Sequence, residues 1–307
     1  IGDIKNLKSV TVSKDVKQIG DNAFLNATSL TEVIFEADST LETIGTSAFQ
    51  GATGLTSVTI PAGVTSIGDR AFWAATSLTS VTFEADSTLE TIGYGAFNNT
   101  RFTSFTIPAT VTSIGREAFQ SATSLTYITI PAGVTSIGNS TFFRAHSLAE
   151  VEFATDGSLN SIGNNAFREN RSLTSINIPK SVTSIGTDAF LGAALLQTIN
   201  VDGSNSYFSS DVNGVLFDNE KESLIKYPEG NSDTSYNIPN SVKTIEANSF
   251  INTNINNVYA SPTLVSNSMW VDGETNTIGN KTNITVTEKA INAITLSNNT
   301  INENTAS

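Results

Sequence analysis

An isoleucine-glycine pair with a phenylalanine five residues after the isoleucine recurs eight times, its isoleucines being Ile19, Ile44, Ile67, Ile92, Ile114, Ile137, Ile162 and Ile185. Successive spacings are 25, 23, 25, 22, 23, 25 and 23 residues, and the aromatic stays in register as Phe24, Phe49, Phe72, Phe97, Phe119, Phe142, Phe167 and Phe190. Self-similarity at this period points to one short coil per unit rather than to ordinary globular domains. A unit carries about six large apolar side chains, too few to offset the ordering of some 23 residues, so copies must share their apolar layers. The phenylalanines are expected to stack as a column.

Within Leu55–Leu78 the residues Leu55, Val58 and Ile60 read as a strand that Pro61 and Gly63 end, because proline cannot donate to a ladder. Val64 and Ile67 return to the core. Gly68 and Asp69 then predict the start of a helical turn over residues 70–75. The loop after the strand comes in two lengths. Short copies run Ile-Pro-x-x-Val, as in Ile60–Val64, whereas long copies carry two extra residues, as in Phe35–Leu41, Phe83–Leu89 and Phe153–Leu159. The fold class expected is an α/β repeat solenoid with a parallel sheet on one face and short helical turns on the other.

The pattern breaks at Asn200 and resumes at Ile238, with Glu246 in place of the corner glycine. In between, Gly214–Tyr227 reads as a hairpin turning over Asp218–Glu222. The expected organisation is a solenoid over residues 1–260, with an irregular hairpin module at about 201–246. An Asn- and Thr-rich segment, 261–307, would serve as cap or linker, with Met269, Trp270 and Val271 able to plug the open end and the last ten or so residues disordered. The chain opens close to a repeat strand, Leu7–Val12, as a trimmed or mature fragment would.

The unit Leu-x-x-Val-x-Ile-Pro-x-x-Val-x-x-Ile-Gly-x-x-Ala-Phe resembles the BspA-type leucine-rich repeat, over about Leu7 to Tyr259. The irregular module resembles the family as well, in Gly214–Phe217 and Leu224–Pro228. Many members have cysteine before the Thr-Ser-Leu segment, where this chain has Ala27, Ala75, Ala122 or Ala145. The resemblance implies a non-enzymatic protein, cell-surface or secreted, of bacteria or certain protozoa. Its implied partners are host proteins, including extracellular matrix, or other cells, with no fixed binding motif to transfer.

The residues themselves exclude several classes. A net charge of -13 repels nucleic acid and anionic membrane. No run approaches the ~20 apolar residues of a membrane span, so no membrane insertion is expected within the chain. Cysteine is absent, which removes thiolate catalysis and cysteine metal sites. The single histidine, His146, takes the slot of Thr76 and Thr123 in sister repeats, and the repeat offers it no oriented partner for general-base work. Gly93-Tyr94-Gly95 lacks the third glycine and the long helix of a phosphate loop. Carboxylates recur in the long loops (Glu36, Asp38 and Glu42; Glu84, Asp86 and Glu90) without an Asp-x-Asp-x-Asp-Gly calcium pattern. Neither cofactor nor metal is expected.

Binding is read from the strands. Two residues of each strand point away from the core, and most are Ser or Thr. That is what a merely solvated parallel sheet would show, since β-branched Thr suits it. The departures Ile34, Tyr127, Glu150, Glu152 and Tyr259 are candidate contact points. A second column after the phenylalanines adds Trp73 and Phe143, which serve either as interface anchors or as half-buried filler between turns. The function expected is binding or adhesion through the sheet face. The alternatives are a structural spacer that displays another domain and a hydroxyl array for polysaccharide or ice. Asn-x-Ser/Thr sites at Asn26, Asn98, Asn139, Asn170, Asn280, Asn283 and Asn298 are what chance yields in this composition.

Overall fold

The computed structural model describes residues 4–267, 275–278 and 281–288. Successive coils stack so that strands of equal position pair in parallel and in register, for example Ser57↔Ser80 through Ile60↔Phe83. Four-residue strands form the broad wall, with burial alternating along Ser57–Ile60 as the pleat requires. Two-residue strands at the isoleucine-glycine corner form a second ladder, running from Gln18–Ile19 through Thr43–Ile44, Ser66–Ile67 and Thr91–Ile92 to Ser113–Ile114. It resumes in Ser136–Ile137, Ser161–Ile162 and Ser184–Ile185. These strands are too short to leave a period in the sequence.

The helical turns expected behind the corners are not helices. Among the described residues, helix is confined to a 3-10 turn at Ile4–Asn6 and one α-helix at Pro262–Asn267. In the residues after each glycine the N–H groups alternate. Ala23, Leu25 and Ala27 donate back three residues to Gly20, Asn22 and Phe24, while Asn22, Phe24 and Asn26 donate to Thr46, Ala48 and Gln50 of the next coil. An N–H committed to the next coil is lost to a helix. The alternation places two residues per turn in the left-handed region, for example Arg70 (φ 56) and Ala74 (φ 56), against the preference of L-residues. The intercoil bonds hold them there.

The phenylalanine column is as expected. Phe24 to Phe190 stack nearly parallel with centroids 5.1–6.0 Å apart. The corner glycines answer to close approach: a Cβ on Gly93 would lie 2.6 Å from the Asp69 nitrogen and 2.6 Å from the Gly68 carbonyl carbon. Gly20, in the first coil, would meet nothing within 4 Å.

Beyond Asn200, Leu216–Asp218 and Ser223–Lys226 form the hairpin, with Phe208–Ser210 added antiparallel on the outer side. Its inner strand pairs in parallel with Thr244–Ile245, but among the described residues no strand pairing joins it to Ser184–Ile185, and a cavity of ≈ 440 Å³ lies between them. Tyr227 takes the place of a column phenylalanine and stacks on Phe250 at 5.5 Å. A second apolar core gathers here, from Val215 and Phe217 to Ile284 and Val286. It includes Lys281–Glu288, which pairs in parallel with Asn257–Ala260. Met269, Trp270 and Val271, and the tail after Glu288, lie outside the described residues.

Candidate binding face

The outward strand positions behave as the pleat dictates: Ser9, Thr11, Glu32, Ser57, Thr59, Ser80, Thr82, Glu150 and Glu152 are all exposed. Ile34 (43%), Tyr127 (39%) and Tyr259 (36%) are among the chain's exposed large apolar residues. Register then joins candidates that stand 23–25 residues apart in sequence. Tyr127 lies opposite Glu150, and Thr129 opposite Glu152. The Tyr127 hydroxyl donates to Glu152 and sits 2.7 Å from the Thr129 hydroxyl. The bond to Glu152 pushes that hydroxyl above its ordinary pKa. Elsewhere the outward polar groups pair with each other, Thr59 with Thr82 at 2.9 Å and Asn200 with Asn177 at 3.0 Å. Ile34 and Tyr259 stay apart from this cluster.

The wall is not continuous. Strands pair two by two: Ser9–Val12 with Glu32–Phe35, Ser57–Ile60 with Ser80–Phe83, Tyr127–Ile130 with Glu150–Phe153, and Ser175–Ile178 with Thr198–Val201. In each of the first three pairs a short-loop coil precedes a long-loop coil. The long loop reaches back to fasten the pair: Glu36 accepts from the Lys14 N–H while Thr40 donates to the Lys14 carbonyl, and Glu84 and Thr88 do the same at Ala62. The loop carboxylates Glu36 and Glu84 thus have structural work. After each long-loop coil the ladder opens, and a groove lies at each of these three seams. Their volumes are ≈ 360, ≈ 440 and ≈ 500 Å³, beside Phe35, Phe83 and Phe153 respectively. These phenylalanines are half-buried, whereas the equivalent Ile60, Ile107, Ile130 and Ile178 of the short-loop coils are buried. The largest groove runs beside Glu150 and Glu152, with Lys180 and Asp202 on its far side.

On the opposite, turn-bearing wall Trp73 and Phe143 are both half-buried. Trp73 meets Tyr94 edge-on at 6.0 Å. Arg70 lies over both rings, and Arg116 over Tyr94, 4.7–5.4 Å from their centroids. Arg144 covers Phe143 at 4.8 Å. Both aromatics therefore fill space between turns beneath an arginine lid. His146 does gain a neighbour from the next coil, Glu169, at 3.8 Å. That carboxylate is engaged by Arg144 and Arg171, each at 3.3 Å. Partial burial pushes Glu169 up, but the two guanidinium groups outweigh it and hold the carboxyl below its usual range. Of the glycosylation sequons, Asn98 and Asn170 are buried, Asn26 and Asn139 are exposed, and Asn280 and Asn298 lie outside the described residues.

Residues 3–121, 90–214 and 229–305 match the family described as the BspA type leucine rich repeat region. The chain belongs to the BspA-type leucine-rich repeat family. Among solved structures, a leucine rich cell surface protein from Faecalibacterium prausnitzii is 34% identical, with a TM-score of 0.62 over 73% of this chain and 60% of that one. The pneumococcal vaccine antigen PcpA shares the fold at 21% identity and a TM-score of 0.53, over 86% of this chain and 57% of that one. The chain thus spans about 60% of the length of these two structures. No curated protein matches it. The role general to the BspA-type repeat is protein binding or adhesion. Among the described residues no helix is long and apolar enough to cross a membrane.

Proposed function

We propose that this BspA-type solenoid is a polypeptide-binding or adhesion module of the cell surface or of a secreted protein, and that it engages its partner through the four-residue-strand wall. The observation that carries this reading is the wall itself: a parallel face of exposed side chains whose departures from Ser and Thr include the joined Tyr127–Glu152 cluster beside an open groove. Tyrosine gives contact area at low entropy cost, and groove-lining aromatics suit it as anchors. Ile34 and Tyr259 serve as outlying contacts, while Trp73 and Phe143 are assigned to the opposite wall. Lys281–Glu288 serves as part of a cap on the solenoid, a role supported by its pairing with Asn257–Ala260. A flat hydroxyl lattice for ice or polysaccharide fits less well, because the seams interrupt the wall and Thr59 and Thr82 satisfy one another.

The test is to display arginines on one wall at a time and measure binding of the isolated chain to matrix proteins and cells. Ser57→Arg and Asn177→Arg on exposed strand positions, and Thr106→Arg at the equivalent exposed position of the fifth coil, are expected to abolish whatever binding the chain shows. Gln50→Arg on the turn wall is expected to leave it intact. Inertness of the unmodified chain across a broad panel would favour a spacer instead.

A further inference from the structure

Charge is sorted between the two walls. Residues 18–179 contain no lysine, and the six arginines of the chain, Arg70, Arg101, Arg116, Arg144, Arg168 and Arg171, lie on the turn wall or on the leads out of it. There most of them are engaged: Arg144 and Arg171 share Glu169, Arg168 pairs with Asp188 at 3.4 Å, and Arg70 and Arg116 lie over the face of Tyr94, while Arg101 is exposed. In the same residues the strand wall carries Glu32, Glu150 and Glu152, all exposed, and the loops along its edge add the six long-loop carboxylates and Asp156. Of these, Glu42 pairs with Lys17 at 3.5 Å, whereas Glu150 and Glu152 form no ion pair among the described residues. Glu152 is held by hydroxyls alone, from Tyr127 and Thr129.

From this asymmetry we infer that the strand wall takes a cationic polypeptide segment, with Glu150 and Glu152 as its principal charge contacts and the seam beside Phe153 as its apolar foothold. The inference deepens the binding reading above and rests on it. A one-signed wall raises the encounter rate of an oppositely charged partner and rejects acidic ones. A second copy of this chain fits poorly, because a net charge of -13 repels another copy of itself. The half-exposed phenylalanines at the three seams give the segment apolar anchors along the solenoid axis, where fully hydroxylated strands would give none. Lys180, on the far side of the largest groove, limits the acidic field there and sets the end of the basic footprint.

The experiment is fluorescence anisotropy of the full chain with a labelled peptide of alternating lysine and serine, against a matched peptide of alternating glutamate and serine, at low and at physiological salt. The lysine peptide is expected to bind, and more weakly as salt rises, whereas the glutamate peptide does not. Glu150→Gln with Glu152→Gln should weaken binding about tenfold, while an equal charge loss elsewhere, Asp15→Asn with Glu220→Gln, should change it by less than about twofold. Equal losses from the two pairs, or equal binding of the two peptides, or no binding of the lysine peptide would overturn the inference. If the lysine peptide fails while a protein ligand is still lost on Asn177→Arg, the binding wall stands and only the partner's charge is wrong.

Discussion

The coils up to Asn200 and the region after it solve the same stacking problem with different chemistry. In the regular stack the solution is repeated backbone geometry: a corner glycine on the coil below, a column of phenylalanines and N–H groups alternating between coils. After the hairpin those devices give way to polar networks. Glu246 sits at the corner without a glycine, and Tyr236 donates to Asp211, whose other oxygen accepts from the Asn213 and Val215 N–H groups. Burial, with Asp233 and Asp211 alongside, pushes the Tyr227 and Tyr236 hydroxyls above their ordinary range. Lys226 and Glu229 pair at 2.8 Å with side chains 8% and 1% exposed, and Glu229 also accepts from the Gly192 N–H of the last regular coil. Burial pushes the Lys226 ammonium down and Glu229 draws it back up. Where successive coils are alike, backbone fit suffices. Where a hairpin interrupts them, individual polar bonds must rejoin the stack.

Five substitutions probe that contrast, from the largest expected effect down. Lys226→Met leaves Glu229 buried without its cation and should cost about 3–5 kcal/mol, read as a lower urea midpoint that begins with the C-terminal region. Gly93→Ala forces a Cβ against the backbone of the coil below and should cost about 1–3 kcal/mol, whereas Gly20→Ala should stay within about 0.5 kcal/mol. Equal costs at the two glycines would mean that close approach is not the reason for them. Ala74→Gly relieves a left-handed alanine and should raise stability by up to about 1 kcal/mol in the same assay. Glu169→Gln should have the smallest effect. Because the folded pKa of Glu169 is depressed, its contribution is present above the ordinary carboxylate pKa and is lost as pH falls through the folded value. The variant should therefore be less stable at neutral pH by under about 1 kcal/mol and show a shallower acid limb in a pH series of thermal melts.

What the sequence revealed follows from local periodicity. The coil period, the phenylalanine column, the outward strand pairs and the hairpin each need only neighbours within about 25 residues of chain, written in order. The turns deceived because Gly-Asp followed by Arg-Ala-Phe has the look of a capped helix, and only the acceptors Tyr94, Ala96 and Asn98 of the next coil show where the N–H groups of Arg70, Phe72 and Ala74 go. The contact of Tyr127 with Glu152 and that of His146 with Glu169 also cross between coils. Aligning the repeats by their corner isoleucines puts Tyr127 opposite Glu152, but it puts His146 opposite Arg171, two residues beyond Glu169. The Lys226–Glu229 pair was concealed differently, since a spacing of three on an irregular segment does not foretell burial. The seams were hidden because loop length alone does not say toward which neighbour a long loop reaches.

Coils coupled in pairs, with an open seam after each long loop, are the feature on which the grooved binding wall depends. Amide hydrogen exchange resolved by residue tests it most directly. Groove-side amides of Ser57–Ile60 and Ser175–Ile178 are predicted to exchange markedly faster than the ladder amides of Ser80–Phe83 and Glu150–Phe153, which face their partner coils. Uniform protection across all four strands would show an unbroken sheet and contradict the paired-coil account.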